Sequence, residues 1–179
     1  MLELNNLSKR KIKSRELVFL AENFFNYYKI KQAEVSLVLI GDKKSQELNK
    51  KYRQKNKATD VLSFLNPDFK LGKNNFLGEI FINLSELSRL KNYQPLFLEL
   101  SKLSDSKAKF FLKSISYKTL ENNDFLKTKK EKEKAYSYLL LFIFLHGLLH
   151  LIGFDDEKEK ERRRMLEIGF NFLEKTCQG

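Results

Sequence analysis

The run Tyr138-Leu-Leu-Leu-Phe-Ile-Phe-Leu145, continuing as His146-Gly-Leu-Leu-His150-Leu-Ile-Gly153-Phe154, constrains this chain more than any other stretch. A helix that is apolar on every face cannot lie on a water-exposed surface, so other elements or lipid must wrap it. A membrane span needs roughly 20 predominantly apolar residues. This run is interrupted by two histidines and two glycines, and it reads as a buried core helix.

That helix carries the only two histidines among 179 residues. Positions i and i+4 share a helix face, so the imidazoles of His146 and His150 can address one ion. Two helical histidines can also be core residues with satisfied ring nitrogens. The residues that follow favour a metal: Gly153 permits a tight turn at the helix C-terminus, after which Phe154-Asp155-Asp156 can return a third ligand. Three protein ligands with one open position is the pattern of catalytic zinc. Gly147 stands where His-Glu-x-x-His metalloproteases carry their general base, which disfavours peptide hydrolysis.

The rest of the chain supplies a sheet and further helices. Residues 2–6 read as a short strand, and Ser8 or Ser14 is positioned to cap the following helix, about Ile12 to Tyr28, whose Leu17, Leu20, Ala21, Phe24, Phe25 and Tyr28 recur at helical spacing. Glu34 to Gly41 reads as a strand ending in a turn, Lys43 to Tyr52 as a short helix, and Thr59–Phe64 and Leu77–Asn83 as two more strands. From Asp156 to about Lys175 the pattern is a charged amphipathic helix. The length fits one domain. A single cysteine, Cys177, excludes an internal disulfide.

Net charge narrows the partner. At +11 the chain favours a polyanion, because clustered Lys and Arg gain free energy by displacing counterions from phosphates. Seven of the basic residues fall between Lys43 and Lys57, with Glu47 as the one acid. No N-terminal charged segment leads into an apolar stretch and a cleavage site, so a cytoplasmic protein is expected, with no membrane.

Tyr52-Arg53, Thr59-Asp-Val-Leu-Ser-Phe64, Leu77-Gly-Glu-Ile80 and His146-Gly-Leu-Leu-His150-Leu-Ile-Gly-Phe-Asp155 resemble, in order and spacing, the successive signatures of the YbeY family. These are bacterial metal-dependent endoribonucleases associated with ribosomal RNA maturation. The resemblance implies an α+β fold: one domain over residues 1–179, about four strands in a mixed sheet, helices packed on it, and a metal-bearing cleft. It implies a single-strand-specific endoribonuclease acting in 16S rRNA maturation and ribosome quality control, with precursor rRNA and the small ribosomal subunit as partners. Two other readings stay open: a non-catalytic ribosome-assembly factor with a structural metal, and a metal hydrolase for another substrate.

The chain departs from the family twice. Family members carry a third histidine where this chain has Asp156, so the implied ligands of one Zn2+ are His146, His150 and Asp156. A carboxylate oxygen binds zinc at about 2.0–2.2 Å, and its charge shifts preference toward harder divalent ions. Glu157 is a lesser candidate for that position. The second departure is an insertion at about 87–134, where Phe97, Leu98, Leu100, Leu103, Phe110, Phe111, Leu112 and Ile115 predict one or two extra helices and Lys127–Lys134 a solvent-facing end.

For RNA cleavage, a metal acidifies a water and polarises a phosphoryl oxygen, while a cation offsets charge developing on the phosphate. Arg53 falls on the family's functional arginine, and its planar fork suits phosphate. Lys50 and Lys51 are expected to bind the RNA backbone, Ser63 to orient substrate or water, and Asp155 to hold a ligand in place through a hydrogen bond.

Overall fold

The computed structural model describes residues 1–103, 126 and 128–176. Four strands, β1 (Leu2–Asn6), β2 (Glu34–Ile40), β3 (Val61–Leu65) and β4 (Phe76–Asn83), form one mixed sheet in the order β1-β2-β4-β3. The β1–β2 and β2–β4 pairs are parallel, and β3 lies antiparallel to β4 at the edge. The interior strand β2 is buried from Leu37 to Ile40, while edge strand β1 is partly exposed throughout. That is why β2 reads as an apolar run: a parallel strand covered on both faces has no solvent side to alternate with.

Helices α1 (Ser14–Tyr27) and α2 (Asp42–Arg53) follow β1 and β2. Leu17, Leu20, Ala21, Phe24 and Phe25 of α1 are buried, as their spacing predicts. Neither Ser8 nor Ser14 caps α1. The N-cap position is Lys13, which makes no side-chain cap, because Ser8 is engaged in a turn where its Oγ donates to Asn6 Oδ1 (2.7 Å). Strand β3 begins at Val61 rather than Thr59: Thr59 is held on both sides by Ser45 Oγ, and Asp60 Oδ1 accepts the N–H of Val61, so side chains replace the ladder there.

After β4 come a single turn, α3 (Leu84–Leu87), a 3-10 turn (Leu90–Tyr93), α4 (Gln94–Leu103), α5 (Lys129–Leu151) and α6 (Glu159–Thr176). Asn83 is fully buried and fully used: its Nδ2 donates to Asp42 Oδ1, and its Oδ1 accepts the N–H groups of Ser85 and Glu86. It ties the end of β4 to the start of α2 and caps α3.

Contacts divide the chain into two compact units. The first comprises Met1–Glu86 and Ile143–Phe154, and holds the sheet, α1, α2 and the last turns of α5. The second comprises Leu87–Phe142 and Asp155–Gly179. In it α4 packs on α6, burying Phe97, Leu100, Met165, Leu166, Phe170 and Leu173, and Arg162 donates both terminal nitrogens to Glu99 (3.1 and 3.4 Å). Helix α4 lies within the stretch 87–134 where one or two helices are expected. Phe110, Phe111, Leu112, Ile115, Lys127 and Cys177 lie outside the described residues.

Helix α5 starts well before its apolar run. Thr128 and Glu131 form a capping box: Glu131 Oε2 accepts the N–H of Thr128 (2.9 Å), and Thr128 Oγ1 accepts the N–H of Glu131 (3.1 Å). The charged stretch expected to face solvent is therefore helix, and Lys129, Lys130, Lys132, Glu133 and Lys134 are exposed. By length and composition α5 could cross a membrane, but 72% of its most apolar window is buried within the protein.

Candidate metal centre

The last turns of α5 lie on β4 and β3. A β-carbon on Gly147 would stand 2.9 Å from Cγ2 of Ile80 and 3.1 Å from Oγ of Ser63, which are directly paired across β3 and β4. One turn on, Leu151 Cδ2 would lie 3.0 Å from a β-carbon on Gly78. Positions 147 and 151 thus face the sheet. His146 and His150, each one residue and about 100° earlier on the helix, stand beside that contact strip and are half-buried.

The helix ends in a Schellman motif. The N–H of Phe154 bonds the carbonyl of Leu149 (3.1 Å) and that of Gly153 bonds the carbonyl of His150 (3.0 Å), with Gly153 left-handed at φ +93. This turn brings the Phe154 carbonyl back over His150, 3.0 Å from Nδ1. A carbonyl can only accept, so Nδ1 carries a proton, and in the neutral imidazole the lone pair then lies on Nε2. Phe154 is itself held by Tyr28, ring centroids 6.5 Å apart and edge to face. Burial raises the pKa of the Tyr28 hydroxyl, and neighbouring Tyr27 adds to the shift.

The two Nε2 atoms are 3.2 Å apart, with the rings nearly perpendicular at 88°. Two nitrogens each about 2.0–2.1 Å from a tetrahedral ion are separated by about 3.3–3.4 Å. The pair already has the bite that zinc requires. Among the described residues, His146, His150 and Asp156 offer ligand atoms that all lie within 4.8 Å of one another. Two nitrogens and a carboxylate oxygen are a donor set that fits zinc, and the carboxylate also suits harder divalent ions.

The other expected residues are placed as follows. Asp155 is exposed, and its Oδ1 accepts the N–H groups of Asp156 (2.7 Å) and Glu157 (3.3 Å), fixing the backbone that presents Asp156. The hydrogen bond that orients His150 comes instead from the Phe154 backbone, which no side-chain pattern in the sequence announces. The hydroxyl of Ser63 is buried under α5 without a hydrogen-bond partner, so in this arrangement it faces the helix rather than solvent. Lys50, Lys51 and Arg53 are exposed in the last turn of α2. That turn is anchored to β3 by Tyr52, whose ring lies 4.8 Å from that of Phe64, the neighbour of Ser63.

Comparison with known proteins gives a consistent match. The family model for endoribonuclease YbeY matches residues 3–97 and 115–176, leaving 98–114 between its two segments. The endoribonuclease YbeY of Mycoplasmopsis synoviae is 33% identical over 152 residues, covering 84% of this chain and 76% of that protein. That of Thermodesulfovibrio yellowstonii is 31% identical over 136 residues, covering 75% of this chain and 61% of the relative. A solution structure of a Thermotoga maritima protein superposes with a TM-score of 0.53 at 21% identity, over 99% of this chain and 90% of that one, which supports the fold alone.

Proposed function

The chain belongs to the endoribonuclease YbeY family, and on that premise we propose that it is a metal-dependent endoribonuclease that cleaves single-stranded RNA. Its setting is 16S rRNA maturation and ribosome quality control in the cytoplasm, with the small ribosomal subunit as partner. The observation that carries the reading is the convergence of the His146 and His150 Nε2 atoms at 3.2 Å, with His150 Nδ1 committed to the Phe154 carbonyl.

His146, His150 and Asp156 would hold one divalent cation, taken here as Zn2+. When bound, the ion supplies Lewis-acid polarisation of a phosphoryl oxygen and a water acidic enough to react near neutral pH. Phe154 keeps His150 in the tautomer that can bind, and Asp155 holds the backbone of Asp156 in the ligating turn. Arg53 places a guanidinium fork against the phosphate that gains charge, while Lys50 and Lys51 bind neighbouring phosphates. Ser63, with its hydroxyl packed under α5 at Gly147, supports the helix that carries the two histidines.

A protease of the His-Glu-x-x-His type is disfavoured by the same packing. The position that would carry its base is Gly147, where even a β-carbon meets Ile80 and Ser63. The test is cleavage of a single-stranded RNA and its duplex form by zinc-loaded and zinc-stripped protein. Zinc-dependent cleavage of the single strand is expected. Binding to ribosomal subunits without any cleavage would favour the assembly-factor reading instead.

A further inference from the structure

We propose that Tyr52 is a stacking platform for one nucleobase of a single-stranded RNA, an inference that rests on the endoribonuclease reading above. Tyr52 is 54% exposed, so its ring has an open face. It is nonetheless held: its ring tilts 57° against Phe64 at 4.8 Å, and Phe64 rests edge to face on Phe81 at 5.8 Å. An aromatic already fixed on one side by a sheet loses little freedom when a base stacks on its open part.

The charge around it fits a nucleic acid strand. Lys50-Lys-Tyr-Arg-Gln-Lys-Asn-Lys57 contains five basic residues and no acid, and all five basic residues are exposed. The ammonium of Lys51 lies 4.9 Å from the Tyr52 ring centroid. An exposed cation–π contact is weaker than base–aromatic stacking. An incoming base therefore displaces Lys51 from the ring and frees its charge for the adjoining phosphate. Duplex RNA keeps its base faces covered by neighbouring pairs, so a ring of this kind selects unpaired nucleotides.

The experiment uses the full chain with chelator to hold back cleavage. The probe is a short single-stranded oligoribonucleotide carrying 2-aminopurine, alongside its duplex form. Wild type and Tyr52→Phe are expected to bind the single strand and change the 2-aminopurine fluorescence. Tyr52→Leu, which keeps an apolar contact to Phe64 but has no π-face, should lose the fluorescence change and bind about 5- to 140-fold more weakly, with its salt dependence unchanged. Lys51→Ala should instead flatten the salt dependence by about 0.7 in log–log slope. Tyr52→Leu binding with wild-type affinity and signal would overturn the stacking while leaving zinc-dependent cleavage, and the reading it rests on, intact. An equal loss on the duplex would overturn it too. Wild-type protein that neither binds nor cleaves single strands would overturn both.

Discussion

A β-carbon on Gly147 would stand 2.9 Å from Cγ2 of Ile80, so α5 packs tightly on the sheet at the residue that directly follows the first histidine. The depth of that contact sets how far the imidazoles stand beyond the sheet surface.

Gly147→Ala should therefore destabilise the protein despite adding a better helix former. Alanine gains about 1 kcal/mol of helix propensity over glycine, while overpacking a tight interface costs about 1–3 kcal/mol, so a Tm lower by a few degrees is expected. Ile80→Ala removes the obstructing atoms, and Gly147→Ala should cost less in that background, with a coupling of about 0.5–3 kcal/mol in a double-mutant cycle. Strict additivity would mean that the close approach is not what constrains this position.

The paired histidines predict that His146→Ala and His150→Ala each lower bound zinc and cleavage together. Each should also lose most of the zinc-induced stabilisation, which for a site bound only by the folded state is about 2.7 kcal/mol at a free metal level of 100 Kd. Metal analysis and thermal melts with and without zinc decide this. Either variant with full occupancy and full activity would sink the assignment.

The acid that completes the site is predicted to be Asp156, among three consecutive acids. Asp156→Ala should weaken zinc binding by more than the about 10–100-fold typical of a lost supporting hydrogen bond. Asp155→Ala should fall near that lower range, since its carboxylate holds the N–H groups of Asp156 and Glu157, and Glu157→Ala should matter least. Asp156→His should retain the metal and leave more positive charge on it. Competitive zinc titration of the four variants gives the order, and a larger effect at Asp155 or Glu157 would move the third ligand.

Arg53→Glu should reduce RNA cleavage about 100-fold or more while metal content stays at wild type, because the side chain acts on phosphate and not on the ion. Arg53 is exposed at the end of α2, so the substitution has little packing to disturb. Turnover at the wild-type rate would remove Arg53 from the chemistry.

The sequence by itself determined whatever depends on neighbours a few residues away. The i, i+4 spacing put His146 and His150 on one face, Gly153 announced the turn, and the apolar run announced a buried helix, because helical period and helix ending are set within about one turn. The capping box at Thr128 and Glu131 was legible by the same local rule, although the charged composition around it reads first as solvated chain. Only the tertiary structure decided the strand order β1-β2-β4-β3, the burial of the Ser63 hydroxyl under the helix, and the reason that a side chain at Gly147 is costly. Each of these depends on residues far apart in sequence meeting across a sheet, and hydrophobic pattern says that a face is buried without saying against what. The Phe154 carbonyl that orients His150 is the limiting case, since it is a backbone atom that every residue possesses and only the path of the chain aims it.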